Sequence, residues 1–432
     1  MSTSRSGKQA GFKLYSVMIL IGTAPVLMVI IPWDFGPDMN PYRGFMRGHS
    51  LTVPLIEMVV ILLAMARGFS PFAAISDLPR LTKVGATLFL GLAIWGAAFI
   101  ADIPIFALLG ISKLVIHALF FLAVRNMFES ISDIWKDRVW AAIGGGVFGY
   151  CLLWGTNILI FHPAEDDWMT RVPGLTNPRG AGFFALAGFF AGFAMLPQQG
   201  ATGKARWQGF CALLVSTIAL GLALWTGSRG GVIAILVGTV IVIIIAPARQ
   251  RLLSFVLAVA VLAISANYPL PSVHPSYGME RILNRSLPAS NNDDLSSGRT
   301  QMWINTADKI GQRPLMGWGI DQFSRRGPTV TLGFKQPHNM VLQLLFSTGL
   351  LGAIAACFII IPMALTQRPE RSKPYQRAAW GYISGLLIFG LYDAAFYYPF
   401  PVMIFLISIA CISKPILPTP ATDMSGLRGR KV

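Results

Sequence analysis

Pro337-His338-Asn339-Met340-Val341-Leu342-Gln343-Leu344-Leu345-Phe346-Ser347-Thr348-Gly349-Leu350-Leu351-Gly352 is where a long polar stretch ends and an apolar helix begins. Upstream, residues 269–338 hold Arg281, Arg285, Ser297-Gly298-Arg299 and the turn Pro314-Leu315-Met316-Gly317-Trp318-Gly319. A polar loop of this length exceeds what a plain connector needs, so it is expected to have its own structure and task. Around it lies one apolar run after another. The 432 residues are 54% hydrophobic and only 12% charged, and the mean hydropathy is +0.59. A soluble globular chain carries roughly twice that charged fraction.

The fold class expected is all-α, a polytopic transmembrane helix bundle. Windows of about 20 apolar residues mark spans. They fall near residues 14–32, 51–66, 84–101, 104–124, 139–161, 180–196, 207–226, 230–246, 252–268, 339–362, 378–396 and 399–413, about twelve in all. The whole chain, 1–432, then reads as a single integral membrane domain, with short helices in the large 269–338 loop between spans nine and ten and a tail at 414–432. With the N-terminus cytoplasmic, the inner segments hold 21 Lys and Arg against 5 in the short outer loops. That bias places both termini in the cytoplasm and the large loop outside.

The formal net charge of +16 is spread over segments between apolar runs, and no nucleic-acid motif accompanies it. Cys151, Cys211, Cys357 and Cys411 lie inside apolar runs without paired spacing, so they read as small core residues, not disulfides or metal ligands. The basic N-terminus (Arg5, Lys8, Lys13) precedes an apolar segment without a convincing cleavage site, and reads as a retained first span. No internal repeat of the transporter kind is visible.

His338 follows a proline at the outer mouth of a span. It reads either as an interfacial histidine bonded to the loop or as a general base for a hydroxyl, which neutral imidazole can be near pH 7. Asn339 follows it, and Gly349 and Gly352 offer small residues where a neighbouring helix can approach. Arg229, in Gly227-Ser228-Arg229-Gly230-Gly231, either snorkels to the interface or presents its guanidinium fork to phosphate. Arg299 is the natural second clamp, and Trp303 lies four residues on, on the same helix face. Arg179 opens another span at the same side. Lys113 and His117 share a helix face inside a span and read equally as functional groups or as helix–helix hydrogen-bonding partners. Asp393 either orients a partner or pairs with an arginine. Trp33 and Tyr42 read as an interfacial aromatic belt. No metal cluster, Walker loop or dinucleotide fingerprint is present, so a reaction here would run on an already activated donor.

The spacing His338-Asn339, nine residues, Gly349, two residues, Gly352 resembles the motif of the O-antigen ligase and polymerase family of bacterial envelope enzymes. The Gly227–Gly231 turn, the Gly298-Arg299 and Trp303 pair and the Pro314–Gly319 turn add to the resemblance, which covers roughly residues 170–400. It implies a membrane glycosyltransferase that uses neither nucleotide nor metal and takes a glycan from undecaprenyl pyrophosphate to an acceptor hydroxyl. On that reading His338 is the base or acceptor-orienting residue, and Arg229 and Arg299 hold the pyrophosphate. Arg179 and Asp393 are added from the residues alone. The first expectation is an O-antigen ligase acting on lipid A-core, because the single large loop ends directly in the His motif. A Wzy-type polymerase adding to a growing glycan is the second. A transporter of lipid-linked glycans is a third, and would need charges along a central path.

Overall fold

The computed structural model describes residues 3–30, 48–161, 180–197, 204–247, 249–268, 278–279, 282, 299–328, 336–365 and 373–413. Within these the protein is all-α, with fifteen helices and no strand. They are α1 (Thr3–Ile30), α2 (Gly48–Met65), α3 (Pro71–Ser76), α4 (Arg80–Phe99), α5 (Pro104–Glu129), α6 (Asp133–Phe161), α7 (Ala181–Met195) and α8 (Lys204–Trp225). There follow α9 (Arg229–Ile245), α10 (Arg249–Asn267), α11 (Arg299–Gln312), α12 (Phe323–Arg326), α13 (Met340–Leu365), α14 (Pro374–Tyr392) and α15 (Pro399–Ile412). Every expected apolar run forms a helix. The tail from residue 414 and about half of the 269–338 loop lie outside the described residues.

Six of these helices are long and apolar enough to cross a membrane, half the expected number. They lie within α4, α5, α6, α8, α10 and α13. Five further apolar helical stretches of 10–17 residues lie among the described residues, one of them α7. At 1.5 Å per residue the 15 residues of α7 reach only about 22 Å, short of a hydrocarbon core of about 30 Å. The reason is its place in the fold. Residues 181–194 of α7 are all buried, enclosed by α6, α8, α9, α14 and α15, so protein and not lipid sets its length.

Lipid offers helices no hydrophobic incentive to associate, so close packing has to come from small residues. A Cβ on Gly146 of α6 would meet the Gly22 carbonyl of α1 at 1.7 Å, and one on Gly238 of α9 would meet the Gly381 carbonyl of α14 at 2.3 Å. Gly182 of α7 and Gly230 of α9 both lie against the Phe389 ring of α14. The start of α7, the start of α9 and the end of α14 therefore meet at one end of the bundle.

α13 is broken at Gly349, which has φ 65 and ψ −167. The Pro314–Gly319 turn fills the break. Trp318 N–H donates to the Phe346 carbonyl (2.7 Å) and Gly319 N–H to the Ser347 carbonyl (3.0 Å). In return Leu350 N–H donates to Pro314 (2.8 Å) and Leu351 N–H to Leu315 (3.1 Å). The close approach expected at Gly349 is thus real, but what approaches is the turn and not another helix. Gly352 serves the same break, since a Cβ there would strike Thr348 Oγ1 at 2.1 Å.

Gly349→Ala is expected to destabilise the protein by about 1–3 kcal/mol, because its Cβ would sit 2.3 Å from the Leu315 carbonyl at a strained φ. Gly145→Ala, with nothing within 4 Å, is the control and should be neutral or slightly stabilising. Thermal unfolding in detergent, with hydrogen exchange over residues 314–327, reads both.

Candidate active site

Pro337 ends the loop, and Asn339 starts α13 by capping it: its Oδ1 accepts from Val341 N–H (2.9 Å) and Leu342 N–H (3.0 Å). The Asn339 Nδ2 donates to the Leu391 carbonyl at 3.0 Å, tying the start of α13 to the end of α14. Its role here is to build the corner. Between them His338 adopts φ 49, one of only two non-glycine residues with positive φ among the described residues. Such backbone strain persists only where surrounding contacts hold it.

The contact that holds it is Asp393, the residue after α14. Asp393 Oδ1 lies 2.7 Å from His338 Nδ1 and also accepts from Ala394 N–H at 2.8 Å. On the carboxylate's other side, Arg299 Nη2 is 3.6 Å from Asp393 Oδ2, and Arg299 Nη1 donates to the Tyr392 carbonyl. Trp303, one turn along α11, donates its indole N–H to the Pro337 carbonyl at 2.8 Å. The Arg299 and Trp303 face therefore clamps both sides of the His338 corner. Both readings of Asp393 hold together: it orients His338 and it pairs with an arginine.

These contacts decide the electrostatics. Burial alone would raise the Asp393 pKa. The His338 hydrogen bond, the charges of His338 and Arg299 and the Ala394 N–H outweigh it and hold the carboxyl below its usual 3.8. Asp393 is therefore an anion at neutral pH. With Nδ1–H donated to that anion, the neutral ring has Nε2 as its acceptor nitrogen.

Arg229 is exposed at the first residue of α9. Its neighbours Gly230 and Gly182 pack on Phe389, whose carbonyl accepts from Asp393 N–H (2.8 Å). Arg229 and the His338 corner thus lie at the same end of the bundle, joined through one turn of α14. Arg179 lies outside the described residues, although Gly180, which follows it, starts α7.

Lys113 and His117 separate. His117 Nδ1 is hydrogen-bonded to Glu57 Oε1 of α2 at 2.9 Å, so helix–helix hydrogen bonding accounts for it. Lys113 Nζ is 3.5 Å from Asp321 Oδ2, in the polar turn after Gly319. Glu57, Asp321 and Gln336 escaped the sequence reading. Glu57 did leave a signal, as a lone acid within the apolar run 51–66.

Residues 213–357 match a family model described as O-antigen ligase. The matched segment runs from α8 through the loop to α13 and contains Arg229, Arg299, His338, Gly349 and Gly352. Asp393 lies beyond it. No curated protein matches the chain.

Stability linked to Asp393 has a defined pH window. Its folded pKa lies below the unfolded 3.8, so the contribution is complete above 3.8 and is lost as pH falls through the folded value. The thermal midpoint of the wild type should exceed that of Asp393→Asn by a constant margin at neutral pH. That margin should close only below pH 3.8; a margin that already narrows between pH 7 and 5 would contradict the assignment.

Proposed function

We propose that the protein is an O-antigen ligase-type glycosyltransferase, transferring a glycan from undecaprenyl pyrophosphate to a hydroxyl of lipid A-core at the periplasmic face of the bacterial inner membrane. The observation that carries this reading is the 2.7 Å contact of His338 Nδ1 with the Asp393 carboxylate, next to the segment that matches the ligase family. The chain is one integral membrane domain on this reading, and its end bearing His338 and Arg229 faces the periplasm.

In the reaction the acceptor hydroxyl oxygen bonds to the anomeric carbon of the donor glycan as the bond from that carbon to the pyrophosphate oxygen breaks. The hydroxyl proton passes to His338 Nε2, and undecaprenyl pyrophosphate departs with the electron pair. Attack opposite the leaving group inverts the anomeric centre. Asp393 fixes the ring and stabilises the imidazolium that forms. Arg299 holds Asp393 in place, and its remaining N–H groups face the charge of the departing group. Arg229 supplies the main phosphate contact, through a fork that matches phosphate oxygens, and Arg179 is assigned a supporting contact. Because the donor is already activated, the chemistry asks for positioning and charge stabilisation and for no nucleotide or metal.

Removing the base is expected to slow transfer by about 10²–10⁴-fold. In cells lacking the chain, His338→Ala should leave full-length glycan on the lipid carrier and bare lipid A-core on a lipopolysaccharide gel, while the variant remains inserted. Normal core glycosylation by this variant would remove the base assignment. Core bearing a single repeat unit would mean a polymerase, and an intact glycan profile with a blocked lipid-carrier distribution would mean a transporter. Arg229→Gln should lower transfer with the protein equally abundant.

A further inference from the structure

Three cations converge on one indole ring. The Trp318 ring centroid lies 4.5 Å from Arg313 Cζ, 5.4 Å from Lys309 Nζ and 5.8 Å from Arg326 Cζ. The ring itself is fixed. Its N–H donates to the Lys309 carbonyl at 2.9 Å, it stacks on Phe346 with centroids 6.4 Å apart, and its backbone N–H donates into the break in α13. Trp318 is therefore a rigid platform that gathers Lys309 of α11, Arg313 just after α11 and Arg326 of α12.

Negative charge is short at this platform. Arg326 pairs with Asp102, but Lys309 Nζ donates to the neutral Gln312 Oε1, at 3.3 Å. Arg313 is exposed and forms no ion pair among the described residues. Asp321, the acid just after the turn, is paired with Lys113. Asp308, beside Lys309 in the chain, is exposed and unpaired among the described residues. An aromatic face attracts each cation only weakly where water competes, and does nothing against their mutual repulsion. An anion brought to Arg313 and Lys309 would offset it.

The depth of the platform says which anion. α4 and α5 are both long and apolar enough to cross a membrane, so the short connection between them lies at a membrane surface. The platform is fastened to that connection. Gln322 exchanges two hydrogen bonds with Ile103, each 3.2 Å, Arg326 reaches Asp102, and a Cβ on Gly96 would lie 3.5 Å from Gly319 Cα. Trp95 and Phe99, near the end of α4, expose their rings, as aromatic residues do at headgroup level. Leu315 and Met316, in the Pro314–Gly319 turn itself, are exposed as well. Unpaired cations beside bare apolar side chains, at the depth of lipid headgroups, match a charged phosphate that carries acyl chains. A soluble anion would leave Leu315 and Met316 in water.

We propose that the Trp318 platform seats the headgroup of an anionic phospholipid, in the leaflet on the His338 side. Arg313 and Lys309 contact the phosphate, and Leu315 and Met316 lie beside the acyl chains. The site is separate from the reaction described above and does not depend on it. It does brace one end of α11, whose other end carries Arg299 about 15 Å away along the helix.

The test places the full chain in nanodiscs of phosphatidylcholine alone, of phosphatidylcholine with phosphatidylglycerol, and of phosphatidylcholine with lipid A. Hydrogen exchange over residues 309–327 is the local readout. Phosphatidylglycerol should slow exchange there in the wild type, and Lys309→Gln with Arg313→Gln should cancel the effect, about fivefold for each cation removed. Arg313→Lys, which keeps the charge, should retain most of it. If the double variant folds poorly, the wild type still decides. At roughly 1 M salt, where charges are screened beyond about 3 Å, its response to phosphatidylglycerol should vanish. Equal exchange with and without phosphatidylglycerol, equal protection in the double variant, or protection that survives high salt would overturn the site. Protection by lipid A with none by phosphatidylglycerol would overturn the phospholipid as its occupant.

Discussion

A helix broken near a membrane surface must find partners for the backbone groups it releases, because lipid supplies none. At Gly349 the Pro314–Gly319 turn provides them through four reciprocal backbone bonds. Much of what surrounds the candidate site follows from that exchange. The turn buries Trp318 against Phe346, with the Arg313 guanidinium 4.5 Å from its ring centroid. It carries Ile320 into the α4 and α5 interface and sets Asp321 beside Lys113. Through α11 it also fixes the face that bears Arg299 and Trp303.

The His338 corner is the second consequence. α11 presses on it from one side and the end of α14 from the other, so a residue at an unfavourable φ is held by contacts from two other parts of the chain. Asp393 joins them. Its oxygens serve the imidazole and the Ala394 N–H on one side and the guanidinium on the other. An anion so placed sets which nitrogen of His338 accepts a proton, the property a general base requires.

Arg299 illustrates how a tertiary contact redirects a sequence reading. As a lone loop arginine beside a glycine it suggests a phosphate clamp. In the fold two of its donors go to Tyr392 and Asp393, which makes it first the support of the His338 partner. Arg229 is exposed at the start of α9, at the same end of the bundle.

From the sequence by itself came the all-α class, the position of each apolar helix, a close approach at Gly349 and the proximity of His338 to a span mouth. These rest on hydropathy, helical period and backbone sterics, all of which act over a few residues. Among the described residues six helices are long and apolar enough to cross a membrane, and α7, enclosed by its neighbours, is not one of them. Neither the His338–Asp393–Arg299 grouping nor the Lys113–Asp321 pair followed from the sequence, since their members are separated by 55, 94 and 208 positions. Those meetings depend on which helix ends pack together. That is decided by small residues such as Gly182, Gly230 and Gly238 admitting particular partners, and only the folded bundle reveals it.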